Sequence, residues 1–297
     1  MERKAVFLDI DGTLTEPGTN EPPESAAEAV RQARECGHYV SLCTGRSYGM
    51  LLPLLRYGFD GVIASAGGYV ECQGQVIYDC PMTETQREMA MRVLAECGVF
   101  CTAECKGGTF MDEGAAEYLR SGPAAGDSEY LRWREMIGKV FNIRPMKEYR
   151  GEPVYKIVIM SPSLEQLKKP EKLLGETFQF SVQEADAYGI VHGELINRMF
   201  DKGRAIARVC SHLGIPLSDA IAFGDSVNDK EMLETAGTGI CMRNGWEGLR
   251  ATADDICPPV REDGIREAFQ KYHLIPAGQK ASSGSGTAGQ NGSEWRK

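Results

Sequence analysis

The sequence contains little that would direct the chain to a membrane or to nucleic acid. No apolar stretch is long enough to cross a bilayer, and the charged start at residues 1–4 predicts no signal peptide. Long basic clusters are lacking, and the formal net charge of -9 disfavours nonspecific binding to nucleic acid. We therefore expect a cytoplasmic protein that binds neither a membrane nor nucleic acid.

Histidine is scarce, and neither histidine nor cysteine shows the pattern of a metal site. The histidines lack the spacing of metal ligands: His38, His192, His212 and His273. Three of the 10 cysteines are four residues apart: Cys97, Cys101 and Cys105. Gly98 is expected to end the preceding helix, so these three do not share one helix face. We expect reduced thiols that are buried or half-buried, as is usual in the cytosol.

Two aspartates follow a predicted buried strand near the start of the chain. Residues 5–8 are all apolar, and Asp9 and Asp11 come next, followed by a glycine that permits a sharp turn. Residues two apart on a strand point the same way, so both carboxylates are expected to face one site. Two such charges resist joint ionisation unless a cation or a shared proton intervenes. Taken alone, the segment fits a catalytic acid pair and a solvated Asp-Gly turn equally well.

Further polar segments stand where other predicted elements end or begin. Thr-Gly-Arg at 44–46 follows one strand, and a segment with two acids and an amide at 224–229 follows another. A Lys-Gly pair at 202–203 opens a predicted helix. Strands and helices alternate in residues 1–80, which predicts a parallel α/β sheet whose active groups gather at the carboxyl ends of the strands. Each segment alone has an ordinary alternative as a turn, a helix start or a surface charge.

These segments occur together in the order found in one enzyme superfamily. Across roughly residues 1–275 the chain resembles the haloacid dehalogenase (HAD) superfamily of phosphatases, and specifically its Cof-like subgroup. The four motifs of the family match residues 7–14 (Phe-Leu-Asp-Ile-Asp-Gly-Thr-Leu), 44–46, 202–203 and 224–229 (Gly-Asp-Ser-Val-Asn-Asp). The first and last motifs are specific, and the order and spacing of all four argue against chance.

The resemblance implies a fold of two parts. The core is expected to be a doubly wound, Rossmannoid α/β domain with a parallel sheet, built from residues 1–81 and 188–275. An α+β cap is expected to be inserted at residues 82–187, with one of its helices at 128–138. Residues 276–297 are rich in Gly, Ser, Ala and Gln, too polar to pack, and are predicted to form a disordered tail.

The resemblance also assigns roles to the acidic residues. Asp9 is the expected nucleophile, which forms an aspartyl-phosphate, and Asp11 is the expected general acid and base. Mg²⁺ prefers oxygen ligands and is expected to bind Asp9, the backbone carbonyl of Asp11 and Asp225. Asp229 is expected to lie behind these ligands or to hold Lys202.

The remaining site residues are expected to hold the phosphate. They offer backbone amides, a hydroxyl, cations and a side-chain amide: Ile10, Thr44, Gly45, Arg46, Lys202 and Asn228. One departure from the family concerns the strand that is predicted to end at Ser65. Many Cof-like proteins have Asn-Gly there, whereas this chain has Ala66, Gly67 and Gly68. An amide that often helps to fix the site or to contact the substrate is therefore missing.

The expected activity is that of a Mg²⁺-dependent phosphomonoesterase. The resemblance implies small organic phosphates as substrates, such as sugar phosphates or phosphorylated cofactors, and a large cap argues against macromolecular ones. Two alternatives use the same residues, namely a phosphomutase of the phosphomannomutase type and a non-catalytic sensor of phosphorylated metabolites. The intact set of Asp9, Asp11, Lys202 and Asp225 favours catalysis over sensing. The sequence makes no prediction of the individual substrate or of the oligomeric state.

Overall fold

The chain folds into alternating strands and helices. A computed structural model describes residues 2–17, 19–121, 143–183, 185 and 189–277. In these residues the strands are β1 Ala5–Leu8, β2 Tyr39–Cys43, β3 Gly61–Ala64, β4 Tyr69–Cys72, β5 Gln75–Asp79, β6 Phe100–Cys105, β7 Gly108–Met111, β8 Ile143–Pro145, β9 Val154–Ser161, β10 Phe178–Val182, β11 Val191–Asn197, β12 Ala220–Gly224, β13 Thr238–Met242 and β14 Asp255–Cys257. The α-helices are α1 Glu24–Glu35, α2 Leu52–Leu55, α3 Glu84–Glu96, α4 Glu113–Ser121, α5 Leu164–Leu174, α6 Lys202–Leu213, α7 Lys230–Thr235, α8 Glu247–Arg250 and α9 Gly264–Lys271. None of the helices in the described ranges combines the length and apolarity needed to cross a bilayer.

The larger of two sheets has the strand order β14-β13-β12-β1-β2-β3-β4-β5. The strands from β14 to β3 pair in parallel, and β4 and β5 are antiparallel at one edge. β1 is apolar at every position because helices cover both faces of the sheet. Val6 and Leu8 pack with α1 and α9, whereas Ala5 and Phe7 pack with α6. The predicted doubly wound α/β core is confirmed.

This strand order brings three of the predicted motifs to one edge of the sheet. β12, β1 and β2 are neighbours and run in parallel, so their carboxyl ends lie side by side. The backbone amide of Asp9, just after β1, donates to the carbonyl of Phe223 in β12 at 3.0 Å. Segments that are more than 200 residues apart in the sequence therefore meet where ligands usually bind in open α/β sheets.

The smaller sheet has the order β10-β11-β9-β6-β7-β8 and is antiparallel except between β7 and β8. On one face Ile157 and Ile159 of β9 pack with residues of α3 and α5. On the other face Val158 and Met160 belong to a cluster that includes Met50, which follows β2 in the larger sheet. This second face therefore lies toward the core, as expected of an α+β cap.

The smaller sheet extends past the domain boundary that was predicted between residues 187 and 188. β11 at 191–197 pairs with β9 and β10 and so belongs to the smaller sheet. Its residues alternate between buried and half-buried, as in a strand with one face on a core. The return to the larger sheet therefore comes after residue 197, because pairing with β9 holds this segment in the cap.

Other predictions concern a helix of the cap, the C-terminal tail and the cysteines. The helix predicted at 128–138 and residues 278–297 of the predicted tail lie outside the described residues. Cys97 follows α3, whereas Cys101 and Cys105 lie on β6, so the three thiols do not share a helix face, as predicted. All 10 cysteines are free thiols, and seven of them are buried.

Candidate active site

A compact turn follows β1 and carries the first two aspartates. The strand ends at Leu8, so Asp9 and Asp11 stand on the turn and not on the strand. The carbonyl of Ile10 accepts a hydrogen bond from the amide of Leu14 at 3.0 Å, which closes the turn. The strand alternation on which the prediction relied therefore does not apply here, and tertiary contacts orient the two carboxylates.

Gly12 lets this turn approach the segment after β12. Its φ of +88° lies in the left-handed region, and a Cβ atom at this position would lie 2.3 Å from Oδ2 of Asp225. A glycine therefore satisfies both the backbone conformation and the close contact. The hydroxyl of Thr13 donates to Oδ1 of Asp225 at 3.0 Å, which fixes that carboxylate against the turn.

Lys202 is the central cation of the site. Its Nζ lies 2.6 Å from Oδ1 of Asp9, 2.6 Å from Oδ1 of Asp229 and 3.3 Å from Oδ1 of Asn228. The residue is only 1% exposed. It occupies the first turn of α6, whose N-cap Asp201 accepts a hydrogen bond from the amide of Arg204. The helix start thus presents the ammonium to the carboxyl ends of β1 and β12.

Three carboxylates, those of Asp9, Asp225 and Asp229, lie close to this one cation. The excess of negative charge raises pKa values within the cluster. Burial and the charge of Asp229 raise the pKa of Asp9 well above its usual value, although Lys202 acts in the opposite direction. Burial and Asp229 likewise raise the pKa of Asp225 to about 7. Burial opposes the charge of Lys202, but Asp229 and Asp9 outweigh this and raise its pKa. The cluster therefore favours an additional positive charge.

Asp229 uses both of its oxygens within the protein. Oδ1 pairs with Lys202, and Oδ2 accepts hydrogen bonds from the backbone amides of Asp225 and Ser226, each at 3.0 Å. The side chain is fully buried. These contacts match one of the roles predicted for Asp229, as the partner of Lys202.

The acidic cluster fits a hard divalent cation. One carboxylate oxygen each from Asp9, Asp225 and Asp229 lies within 4.8 Å of the others. Carboxylate oxygens are the donors that Mg²⁺ prefers. Because Asp229 is already bonded on both oxygens, Asp9 and Asp225 are the side chains better placed to hold a cation, as the motif comparison predicts.

Arg46 pairs with Asp11, and its contact with phosphate stays a prediction. Its Nε donates to Oδ2 of Asp11 at 2.8 Å, and its Nη2 donates to Oδ1 of Asp11 at 2.7 Å. Nη1 also donates to Oδ1 of Asn20 at 2.6 Å. This bidentate ion pair fixes the plane of the Asp11 carboxylate. Arg46 thus acts on Asp11, because the turn after β1 brings the acid within reach of the loop after β2.

Gly45 lies between the larger sheet and the cap. A Cβ atom there would be 3.8 Å from Nδ2 of Asn228 and 3.9 Å from Nζ of Lys156, a residue of β9. Nζ of Lys156 donates to the carbonyl of Gly45 at 2.9 Å. Oγ1 of the preceding Thr44 accepts from the amide of Arg46 at 3.1 Å. The predicted phosphate loop therefore borders the Lys202–Asn228 cluster on one side and the cap on the other.

The turn at residues 65–68, which departs from the family pattern, packs against the backbone next to Lys202. Ser65 and Ala66 have φ values of 50° and 57°, and that of Gly67 is 102°. A Cβ atom at Gly67 would lie 2.5 Å from the carbonyl oxygen of Asp201, the residue before Lys202. Glycine is required here because the turn packs against the backbone at the start of α6.

Sequence reasoning missed three polar residues of this site. Thr13 lies inside the first motif, but no pattern links it to Asp225. Asn20, which contacts Arg46, has no distinctive spacing. Lys156 has the clearest signal, since a charged residue within a largely apolar strand is rarely buried without a partner.

Residues 6–269 match the family of haloacid dehalogenase-like hydrolases. The chain belongs to the haloacid dehalogenase superfamily. YkrA of Bacillus subtilis (strain 168) is 27% identical over 282 residues, which cover 93% of this chain and all of YkrA. The phosphoglycolate phosphatase of Methanobrevibacter smithii is 26% identical over 277 residues, covering 92% of this chain and 100% of that enzyme.

A solved structure agrees with this HAD assignment. The HAD subclass IIB sugar phosphatase BT4131 is 25% identical, with a TM-score of 0.72, and the match covers 92% of this chain and 100% of that one. The protein is a phosphatase of the HAD superfamily. Phosphatases of this superfamily generally use a divalent metal, which suits the acidic cluster.

Proposed function

We propose that this HAD phosphatase is a Mg²⁺-dependent phosphomonoester hydrolase that works through an aspartyl-phosphate on Asp9. The observation that carries the proposal is the position of Asp9. Its carboxylate lies 2.6 Å from the buried ammonium of Lys202 and has an oxygen within 4.8 Å of one on Asp225. A carboxylate flanked by a cation and by a second metal-binding acid suits attack on a phosphate dianion.

In the first step an oxygen of Asp9 attacks phosphorus, and the bond between phosphorus and the ester oxygen breaks. Asp11 gives its proton to the departing alcohol. In the second step a water molecule loses a proton to Asp11 and attacks the phosphorus, and the bond between phosphorus and the Asp9 oxygen breaks. Inorganic phosphate is released, and the carboxylate of Asp9 is restored. Because both oxygens of Asp11 accept from Arg46, this pair presents Asp11 as the base of the second step, and Asp11 has to release at least one of these hydrogen bonds to carry the proton of the first step.

Residues beside Asp9 neutralise part of the negative charge of the site. Lys202 offsets the negative charge of Asp9, and Asn228 and the backbone at Gly45 border the space beside it. Mg²⁺, held by Asp9, Asp225 and the backbone carbonyl of Asp11, would supply further positive charge at the phosphate oxygens. Such alignment and neutralisation provide most of the acceleration of phosphoryl transfer.

The leading test is a screen of metabolite phosphates with Mg²⁺ and with EDTA, monitored by release of inorganic phosphate. We expect turnover of small phosphate monoesters, such as sugar phosphates or phosphorylated cofactors, that EDTA abolishes. Conversion of a sugar phosphate to its isomer without release of phosphate would support a phosphomutase. No release from any ester would support a sensor and contradict the proposal.

The role of Asp11 predicts a dependence on the leaving group. The Asp11→Asn variant is expected to lose about 10²–10⁴-fold in kcat for alkyl phosphates, because their alkoxide leaves poorly without a proton. The loss for p-nitrophenyl phosphate in the first step is expected to be smaller, since nitrophenolate leaves unaided. A rapid burst of nitrophenolate followed by slow turnover, with a phosphoryl group detected by intact-mass measurement, would confirm this. Equal losses at every step and for every ester would contradict an acid role.

The raised pKa of Asp225 predicts a pH-dependent effect of Mg²⁺. In metal-free protein the proton is bound more tightly in the folded state, so stability from this group is full below its usual pKa of 3.8 and is lost as pH rises through about 7. Mg²⁺ binds the deprotonated form, so it should raise Tm more at pH 8 than at pH 6. Thermal unfolding of wild type and Asp225→Asn checks this: the pH difference in the Mg²⁺ shift should be much smaller in the variant. An identical shift in both would contradict Asp225 as a ligand.

A further inference from the structure

Arg46 carries a buried guanidinium whose contacts extend beyond Asp11. The residue is only 6% exposed, and its Nε and Nη2 pair with the two oxygens of Asp11. Nη1 donates to Oδ1 of Asn20 at 2.6 Å, and Nη2 also donates to the backbone carbonyl of Thr19 at 3.2 Å. A guanidinium only donates, so the atom of the Asn20 amide that faces it is the oxygen. One edge of the guanidinium is therefore held by a carboxylate and the adjacent edge by two neutral acceptors.

The loop that supplies these neutral acceptors is tied to the turn that carries Asp11. Thr15 is fully buried, and its hydroxyl is shared between the carbonyls of Ile10 and Thr19, at 3.2 Å and 3.4 Å. Ile10 directly precedes Asp11, and Thr19 directly precedes Asn20. The backbone that presents Asn20 is therefore linked to the backbone that presents Asp11, with Arg46 between the two side chains.

The proposed mechanism requires the contact between Arg46 and Asp11 to break and to form again. Asp11 has to release at least one hydrogen bond from Arg46 whenever it carries the transferred proton. In the described part of the chain, Asp11 is the one carboxylate that pairs with Arg46. A buried cation that loses such a partner is destabilised unless other polar groups hold it. Arg46 therefore needs acceptors that stay in place while Asp11 lets go.

Asn20 and the carbonyl of Thr19 meet this requirement because they are neutral. Their oxygens accept from the guanidinium whether Asp11 carries the proton or not. A carboxylate at position 20 would form the stronger, charge-assisted hydrogen bond with Nη1 and would compete with Asp11 for the guanidinium. A neutral amide holds Arg46 and leaves the charge-assisted pairing to Asp11.

We propose that Asn20 is a positioning residue for the general acid and base of this enzyme. It holds the guanidinium of Arg46, so that Arg46 can release Asp11 and pair with it again within one catalytic cycle. This rests on the proposed phosphatase function, and in particular on Asp11 as the acid and base. Asn20 acts through Arg46, and it lies between the first two family motifs, outside all four of them.

The first test is the Asn20→Ala variant, which removes the acceptor from Nη1. We expect kcat for the best alkyl phosphate of the metabolite screen to fall by about 10-fold, because a hydrogen bond to a charged group is lost. KM should stay within about 2-fold of wild type, since Asn20 acts on Arg46 and not on the bound ester. A rise in KM with unchanged kcat would contradict the proposal.

The two steps of the reaction can be separated with p-nitrophenyl phosphate in stopped-flow absorbance. The first turnover of Asn20→Ala should stay within about 3-fold of wild type, because nitrophenolate leaves without a proton from Asp11. Later turnovers depend on hydrolysis of the phosphoenzyme, for which Asp11 acts as the base, and should slow by about 10-fold. Equal losses in both phases would contradict an effect on Asp11.

A double-mutant cycle with Arg46→Met tests whether Asn20 acts through Arg46. Once the guanidinium is absent, Asn20 has nothing to hold, so adding Asn20→Ala to Arg46→Met should lower kcat by less than about 2-fold further. Losses that multiply would show that the two residues act independently and would overturn the proposal. A thermal unfolding curve for each protein shows whether it is folded, and if Arg46→Met is not, the comparison of the two phases in Asn20→Ala decides.

The matched control is Glu21→Gln, a change at the next residue of the same loop. The Glu21 side chain is 78% exposed and pairs with Arg56 at 3.3 Å. This variant should keep kcat within about 2-fold of wild type, because exposed pairs contribute little. A loss as large as that of Asn20→Ala would mean that any change in the loop is harmful and would overturn the proposal.

These outcomes are distinct from a failure of the proposed function. Wild type that releases phosphate from p-nitrophenyl phosphate, together with Asn20→Ala that matches it in both phases, would overturn the positioning role alone. Wild type that releases no phosphate from any ester with Mg²⁺ would overturn the proposed function, and the role of Asn20 with it.

Discussion

Replacing Asp9 with asparagine is expected to lower kcat by at least about 10⁴-fold, because an amide oxygen is a poor nucleophile toward phosphorus. The fold should survive the change, since Lys202 keeps its 2.6 Å contact with Asp229. The measurement is steady-state release of phosphate from the best ester of the screen, with a thermal unfolding curve for each protein. No phosphorylated protein should be detected by intact-mass measurement of the variant.

The matched control for this variant is Asp219→Asn. Asp219 pairs with Lys4 at 2.5 Å in a partly exposed ion pair. The same chemical change there should leave kcat within about 2-fold of wild type, because surface pairs contribute little. Substantial turnover by Asp9→Asn, still sensitive to EDTA, would exclude Asp9 as the residue that accepts the phosphoryl group.

Replacing Lys202 with methionine is expected to have the largest effect on stability. The substitution removes a buried ammonium that contacts Asp9 and Asp229 and leaves their carboxylates without it. Breaking a buried ion pair from one side typically costs about 3–5 kcal/mol. Urea unfolding in EDTA should show this loss in the free energy of unfolding, and turnover should fall by about 10³-fold or more.

Lys4→Met is the control, because Lys4 holds Asp219 in a partly exposed pair. It should lower the free energy of unfolding by less than about 1 kcal/mol. Mg²⁺ is expected to restore part of the stability of Lys202→Met, since it neutralises Asp9 and Asp225 but leaves Asp229 unpaired. A loss no larger than that of Lys4→Met would show that Lys202 does not neutralise the cluster.

Much of the fold was predictable because its signals are local. The apolar residues 5–8 require a strand with both faces covered, and β1 is packed by helices on each side. The strand predicted at residues 5–8 is β1, and the helix predicted to open at the Lys-Gly pair is α6. Periodicity and turn residues carry such information along the chain, so no knowledge of distant contacts was needed.

The meeting of distant segments at the candidate site was predictable for another reason. Parallel strands place their carboxyl ends at one edge, so the segments after β1, β2 and β12 were expected to meet. The hydrogen bond between Asp9 and Phe223 and the contacts of Lys202 agree with this expectation. The catalytic roles of these residues remain proposals that the variants above test.

Three features were beyond the reach of local patterns. The pairing of the Arg46 guanidinium with Asp11 was not predicted. The boundary near residue 188 was wrong in sheet membership, because β11 pairs with β9 of the cap. The contact of Lys156 with Gly45 joins residues that are 111 positions apart. In each case the packing of distant segments decides which residues meet, and no sequence pattern in one segment identifies the other.

By itself the sequence determined the strand-and-helix pattern, the acidic turn after β1 and the superfamily to which the chain belongs, because these follow from residue order over short distances. The tertiary structure alone decided which carboxylate meets which cation: Lys202 with Asp9 and Asp229, and Arg46 with Asp11. It also decided that a cap lysine reaches the loop at Gly45. The physical reason is that an ion pair depends on distances of a few ångströms between side chains, and only the packing of the two sheets sets those distances.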